Sequence, residues 1–169
     1  MRMARLLSLV IVTVLLVASS PVGAQQPVAP PPPQIPYGAP ISLEQAKKVL
    51  AGAEAEAQKN KWNMVIAVLD SGGHLVMLAR MDGTQLGSID AAKDKAYSAV
   101  LYRRPTKVFQ DLVGQGGANL RLLRLSGASP LEGGIPIQVD GKIVGAVGVS
   151  GAASEQDAQV AKAGAESLK

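Results

Sequence analysis

The sequence has no cysteine and only one histidine. The first absence excludes thiolate metal sites and thiol catalysis, and it fits an exported chain that avoids mispaired disulfides. The second leaves a serine triad with one possible base. It also argues against a zinc site, which needs several imidazole or thiolate donors. No cluster of Lys and Arg interleaved with aromatics occurs, so nucleic-acid binding lacks support. No internal repeat is present. The apolar run Leu6 to Val17 is shorter than the ~20 residues a membrane-spanning helix needs.

What the first residues do contain is the layout of a secretory signal peptide. Arg2 and Arg5 precede that apolar run, which is broken only by Ser8 and Thr13, and Val22-Gly23-Ala24 supplies small residues at the cleavage positions. Residues 1–24 are therefore expected to be a leader. Its removal leaves no membrane span and a product destined for the periplasm or the exterior. The formal net charge of +4 includes Arg2 and Arg5, so it overstates the basicity of the mature chain. Residues 25–40 carry Pro27, Pro30 to Pro33, Pro36 and Pro40 and no charge, the composition of an extended polyproline-type tether. Residues 41–169 are left for one domain of ordinary single-core size.

Ser42 with Gln45 makes a capping box, and Leu43, Ala46, Leu50, Ala53 and Ala57 recur at helical spacing. Trp62 to Leu69 and His74 to Arg80 read as strands joined by the turn residues Asp70-Ser71-Gly72-Gly73. Alternation puts His74, Val76, Leu78 and Arg80 on one face. Ser88 is expected to cap a second helix with a buried stripe of Ile89, Ala92, Ala96 and Ala99, leaving Lys93, Asp94 and Lys95 largely off it. Thr106 is expected to cap a short helix carrying Phe109 and Leu112. Gly134 to Val139 and Lys142 to Val149 form a second hairpin around Asp140-Gly141, and Pro136 means that the first of these lies at an edge or carries a bulge. Ser154 with Asp157 should start the last helix. Hairpins demand antiparallel pairing, so the fold class is α+β: a sheet of about five antiparallel strands with flanking helices.

Few motifs carry chemistry. Gly145 to Ala152, GAVGVSGA, matches neither the dinucleotide fingerprint, the lysine-containing phosphate loop nor the nucleophile elbow. Its glycines are read as room for close approach of a neighbouring backbone or a flat ligand. Arg103 and Arg104, and Arg121 and Arg124, could hold carboxylates or phosphates, or stand as solvated faces. Asp90 and Asp94 lie one turn apart, but Lys93 and Lys95 beside them favour surface ion pairs. Tyr97 and Tyr102 are candidate phenolate ligands or amphipathic packing residues. His74, next to a turn, is either a half-exposed strand residue or a ligand for haem or a divalent ion.

The segments DSGGHLVMLARMDG, SIDAAKDKAYSAV, EGGIPIQVDGKIVGAVGVSGA and DAQVAKAGAESL together resemble the GlcG/HbpS family, which also supplies the C-terminal domain of PduO-type proteins. The resemblance places the family's hairpin motif on Asp70, Gly73, Arg80, Asp82 and Gly83, and its helix motif on Ala92, Lys95 and Ala96. Its glycine-proline segment falls on Gly133, Gly134, Pro136 and Gly141, followed by Gly145, Gly148, Ser150 and Gly151. It implies a profilin-like single domain, a homo-oligomer and, as in several members, haem bound outside the cytoplasm. His74 would be the axial ligand, Arg80, Arg103 or Arg104 would face the propionates, and Gly133, Gly134 and Pro136 would lie against the cofactor. One secreted member type binds iron through paired acids on the second helix. Here Asp90 is kept, but Lys93 stands where the second acid would be. Two other readings stay open: a module binding a small organic acid through Arg80, and an enzyme on small oxygenated metabolites, for which no nucleophile–base–orienter set is visible.

Overall fold

The computed structural model describes residues 34–168; the expected leader and the proline-rich stretch up to residue 33 lie outside the described residues. Helix α1 (Leu43–Lys59) leads into the hairpin β1 (Val65–Asp70) and β2 (Leu75–Arg80). Helices α2 (Gly87–Tyr102) and α3 (Lys107–Gly114) follow, then a 3-10 segment (Gly117–Arg124). The hairpin β3 (Gly134–Val139) and β4 (Lys142–Ser150) and the helix α4 (Ser154–Glu166) complete the fold. The capping box is formed as expected: Gln45 N–H donates to Ser42 Oγ, and Ser42 N–H donates to Gln45 Oε1.

The sheet is antiparallel with the order β2-β1-β4-β3, so the two hairpins join through their inner strands, β1 and β4. It has four strands, fewer than the about five expected. β1 stops at the Asp70 turn, opposite Gly145. Beyond that point Ile143 meets Tyr37 in a single parallel bridge, with bonds from Ile143 N–H to Pro36 O and from Gly38 N–H to Ile143 O. Pro36 and Pro40 lack the donors a longer ladder requires, so this stretch remains a strap rather than a strand. Pro136 does lie on an edge strand, as its missing N–H demands.

β1 is apolar on both faces because it is covered on both. Ile66 and Val68 pack with Val147, Val149 and Ile137 against Val49, Ala53 and Ala57 of α1 and Val160 and Ala161 of α4. Val65, Ala67 and Leu69 pack with Ala146 against Ala92, Ala96 and Ala99 of α2. Each such fully buried Val, Leu or Ile contributes about 1.5–3 kcal/mol relative to exposure. A bulge after Val68 interrupts the simple alternation of β2. Leu78 keeps the α2 side, whereas Val76 packs into the cluster beneath α1 and α4.

The alanines of α2 and the glycines of β4 fit together: a Cβ at Gly148 would collide with the Ala92 carbonyl and the Ala96 backbone. Three expected caps do other work. Ser88 is buried and bonds Gln85 and Ser150, and Thr106 Oγ1 accepts from Gly134 N–H. Ser154 is the first residue of α4, after the cap Ala153. Asp157 accepts from Ala152 N–H with Oδ1 but turns Oδ2 to Lys95, and Ala153 N–H donates to Gln156 Oε1. Gly148→Ala is expected to destabilise the fold by about 1–3 kcal/mol through overpacking. Gly87→Ala, at a position with open space around it, should leave the denaturant midpoint unchanged or raise it slightly.

Candidate functional site

The β1–β2 turn is organised by one carboxylate. Asp70 Oδ1 accepts from Gly72 N–H at 2.8 Å and from His74 N–H at 2.9 Å, and it lies 3.3 Å from His74 Nδ1. Gly73 completes the turn with φ +83°, a conformation that side chains rarely adopt. Partial burial works against the Asp70 charge, but the N–H groups of His74 and Gly72 and the His74 ring outweigh it. The carboxyl is held below its ordinary 3.8. With Nδ1 turned to this carboxylate, Nε2 is the nitrogen presented outward, and the ring is 83% exposed. A carboxylate behind a histidine is the arrangement that fixes tautomer and orientation in metal-ligating imidazoles.

Next to this turn stands Tyr97 of α2, 40% exposed. Gly73 and Gly127 press on its ring from two sides; a Cβ at either would come within 3 Å of it. A hollow of about 60 Å³ lies on the turn side, lined by Tyr37, Ser71, Gly72, Gly73, Tyr97, Val100 and Leu101. One of about 360 Å³ lies on the other, lined by Tyr97, Asp94 and the loop Gly127–Leu131. Tyr37 closes the smaller hollow: its hydroxyl donates to Val100 O at 2.8 Å, and the Arg103 guanidinium sits 5.3 Å from its ring centroid. Arg103 Nη1 also reaches Ile35 O. Tyr37 was hidden in a stretch that reads as a tether; its aromatic ring among prolines was the only sequence signal.

Tyr97 lines both hollows and Arg103 stacks on Tyr37 at the smaller one, whereas the His74 ring lines neither and stands in solvent one residue past the lining glycines Gly72 and Gly73. The other candidates are dispersed. Arg80 lies six residues along β2 from His74, about 20 Å at ordinary strand rise. Arg104 turns away, bonding Tyr102 O and lying over Phe109. Gly134 and Pro136 belong to β3, with Gly133 just before it, three strands from β2 and about 14 Å distant at ordinary strand spacing. Asp90 pairs with Lys93 at 2.9 Å on the surface, and no metal-holding cluster occurs among the described residues. Tyr102 is a packing residue, edge-on to Phe109 with its hydroxyl on Ser126 O.

Gly133 and Gly134 have a different partner. They lie against Lys95, which is 3% exposed and not off the buried stripe as its neighbours are. Lys95 Nζ donates to Asp157 Oδ2 at 2.7 Å and to Val149 O at 2.9 Å. Burial pushes the Asp157 carboxyl above its ordinary value, and the Lys95 ammonium with the N–H groups of Ala152 and Gly151 pulls it part of the way back. The spacing Ala92, Lys95, Ala96, Ala99 was the signal: it puts Lys95 on the buried stripe by helical period.

Four similarities to known proteins bear on this arrangement. The family model described as haem degrading protein HbpS-like matches residues 41–166. Protein GlcG of Escherichia coli K12 is 45% identical over 110 residues, covering 65% of this chain and 81% of that protein. A crystal structure of a Streptomyces reticuli HbpS double mutant superposes with TM-score 0.71 at 32% identity, covering 86% of this chain and 99% of the other. A crystal structure of a PduOC:heme complex superposes with TM-score 0.70 at 26% identity, covering 78% and 96%.

Two stability measurements follow from the carboxylates. Asp157→Ala strands a buried ammonium and is expected to cost about 3–5 kcal/mol in denaturant unfolding. Asp70→Ala removes a charged acceptor of two N–H groups, worth about 1–3 kcal/mol at pH 7. Because the folded pKa of Asp70 is depressed, its charge stabilises the fold above the unfolded value of 3.8 and ceases to do so as pH falls through the folded pKa. The gap between wild type and Asp70→Ala should therefore narrow below pH 4.

Proposed function

The chain belongs to the HbpS-like family, and from that premise we propose that it binds haem on the face formed by the β1–β2 turn and α2. The observation that carries the proposal is the exposed imidazole of His74, its Nδ1 3.3 Å from Asp70 Oδ1 and its Nε2 turned to solvent, on the turn whose Gly72 and Gly73 line the smaller hollow with Tyr97. In this reading Nε2 is the axial donor to iron, and aliphatic and aromatic side chains meet the flat macrocycle. Tyr97, Leu101 and Leu131 are exposed apolar or aromatic groups that such a plate would cover. Arg103, stacked on Tyr37 at the same hollow, is placed to pair with a propionate.

An imidazole on the rim of a single chain covers one side of a haem at most. The reading therefore includes a second copy of the chain over the other side, which makes the bound form a homo-oligomer. Residues 1–24 carry the layout of an export leader, and the proposed site of action is the periplasm or the exterior. The haem complex of PduOC at 26% identity and the HbpS structure at 32% support the ligand class.

Titration of the purified chain with hemin tests this. Wild type is expected to give a shifted Soret band, and His74→Ala should weaken binding at least tenfold, about 1.4 kcal/mol. Tyr97→Phe, which removes only the phenol, should preserve the spectrum if imidazole is the donor. Arg80→Ala should bind as wild type. A wild-type spectrum that equals free hemin would sink the proposal, and binding that survives in His74→Ala but fails in Tyr97→Phe would move the ligand to the phenolate.

A further inference from the structure

A second site candidate lies on the opposite edge of the sheet. A crevice of about 260 Å³ opens between the start of β3, the start of α3 and one face of α4. Its apolar walls are Pro105, Ile135 and Ala158. It adjoins a further hollow of about 360 Å³ along β3 and α4, with Ile135 and Lys162 common to both.

The chemistry of the crevice is set by Glu132. Its side chain is only 10% exposed, yet among the described residues its nearest cation is Lys107 at 3.8 Å. That ammonium is committed elsewhere, to Asp111 at 2.7 Å. Glu132 is nonetheless held firmly: Gln110 Oε1 accepts from its N–H at 2.8 Å, and Gln110 Nε2 donates to its Oε2 at 3.3 Å. The one ion pair it makes among the described residues is long, with a cation shared with Asp111, so this clamped, largely buried carboxylate has room for a closer donor entering from the crevice. The second charged group is Lys162, which lines both hollows and joins none of the ion pairs among the described residues.

We propose that this crevice binds a small aliphatic zwitterion, an α-amino acid of about the size of valine or leucine. Its ammonium pairs with Glu132, its carboxylate with Lys162, and its aliphatic side chain lies on Pro105, Ile135 and Ala158. The alternatives fit less well. A simple carboxylate would meet Lys162 but face Glu132, whose Lys107 counter-charge is shared with Asp111. A simple amine would meet Glu132 but sit beside Lys107 and Lys162. A neutral apolar ligand would strip water from Glu132 and give nothing back. The site is separated from the His74 face by the width of the sheet and does not depend on haem.

Isothermal titration and thermal shift of the full chain with L-valine and L-leucine at millimolar concentration test the proposal. Saturable binding and a raised Tm are expected, with neither isobutylamine nor isovalerate giving either signal. Glu132→Gln should weaken amino-acid binding at least tenfold. Lys162→Met removes an exposed lysine outside the core, so its unliganded Tm and circular dichroism should match wild type while its amino-acid affinity falls at least fivefold. Its hemin titration should be unchanged, which keeps the two sites distinguishable. Absence of saturable binding by either amino acid, equal binding of isovalerate or isobutylamine, or wild-type affinity in a folded Lys162→Met would each overturn the assignment.

Discussion

The buried ion pair between Lys95 and Asp157 is the constraint on which much of this fold turns. Lys95 belongs to α2 on one face of the sheet, and Asp157 belongs to α4, which packs on the other. The lysine can reach across only because Gly133 has no side chain. A Cβ there would meet the ammonium, the Asp157 Cβ and the Val149 carbonyl at 3.0 Å or less. Gly134 yields in the same way to the Lys95 backbone. The glycine-proline segment of β3 is thus explained by packing: small residues let a helix lie close and let one charged side chain pass. A buried pair of this kind adds little net stability, but breaking it leaves an uncompensated charge. The two helical layers are therefore locked in one relative position.

That lock sets what the two ends of the sheet can present. With α2 pressed on β1 and β4 through alanines and glycines, its exposed edge brings Tyr97 against the β1–β2 turn. Asp70 then spends its carboxylate on ordering the turn and on holding one imidazole nitrogen, and the other nitrogen is offered outward. At the far edge, Thr106 exchanges bonds with Gly134 through both its N–H and its hydroxyl, fixing α3 beside β3. The crevice with Glu132 opens between these elements and α4. The two candidate sites sit toward the two edges of the sheet, the first at the β1–β2 turn with Asp70 at the end of β1 and the second beside β3.

The sequence by itself determined the local decisions: the capping box at Ser42, both hairpins, the edge position of Pro136, and a family likeness carried by turn and glycine motifs in order. Each of these depends on groups a few residues apart, where spacing alone fixes the geometry. It also brought His74 and the arginines forward as candidates, without deciding which of them share a surface. Tertiary structure decided that, and it decided against several local readings. Ser88, Thr106 and Asp157 have the chemistry of helix caps, yet each bonds a partner elsewhere in the chain, at Ser150, Gly134 and Lys95. Lys95 reads as a surface charge and Tyr37 as part of a tether until the sheet order brings Asp157 and the end of α2 to them. A polar side chain takes its nearest satisfying partner in space once it is removed from water, and distance along the chain says nothing about which partner that is.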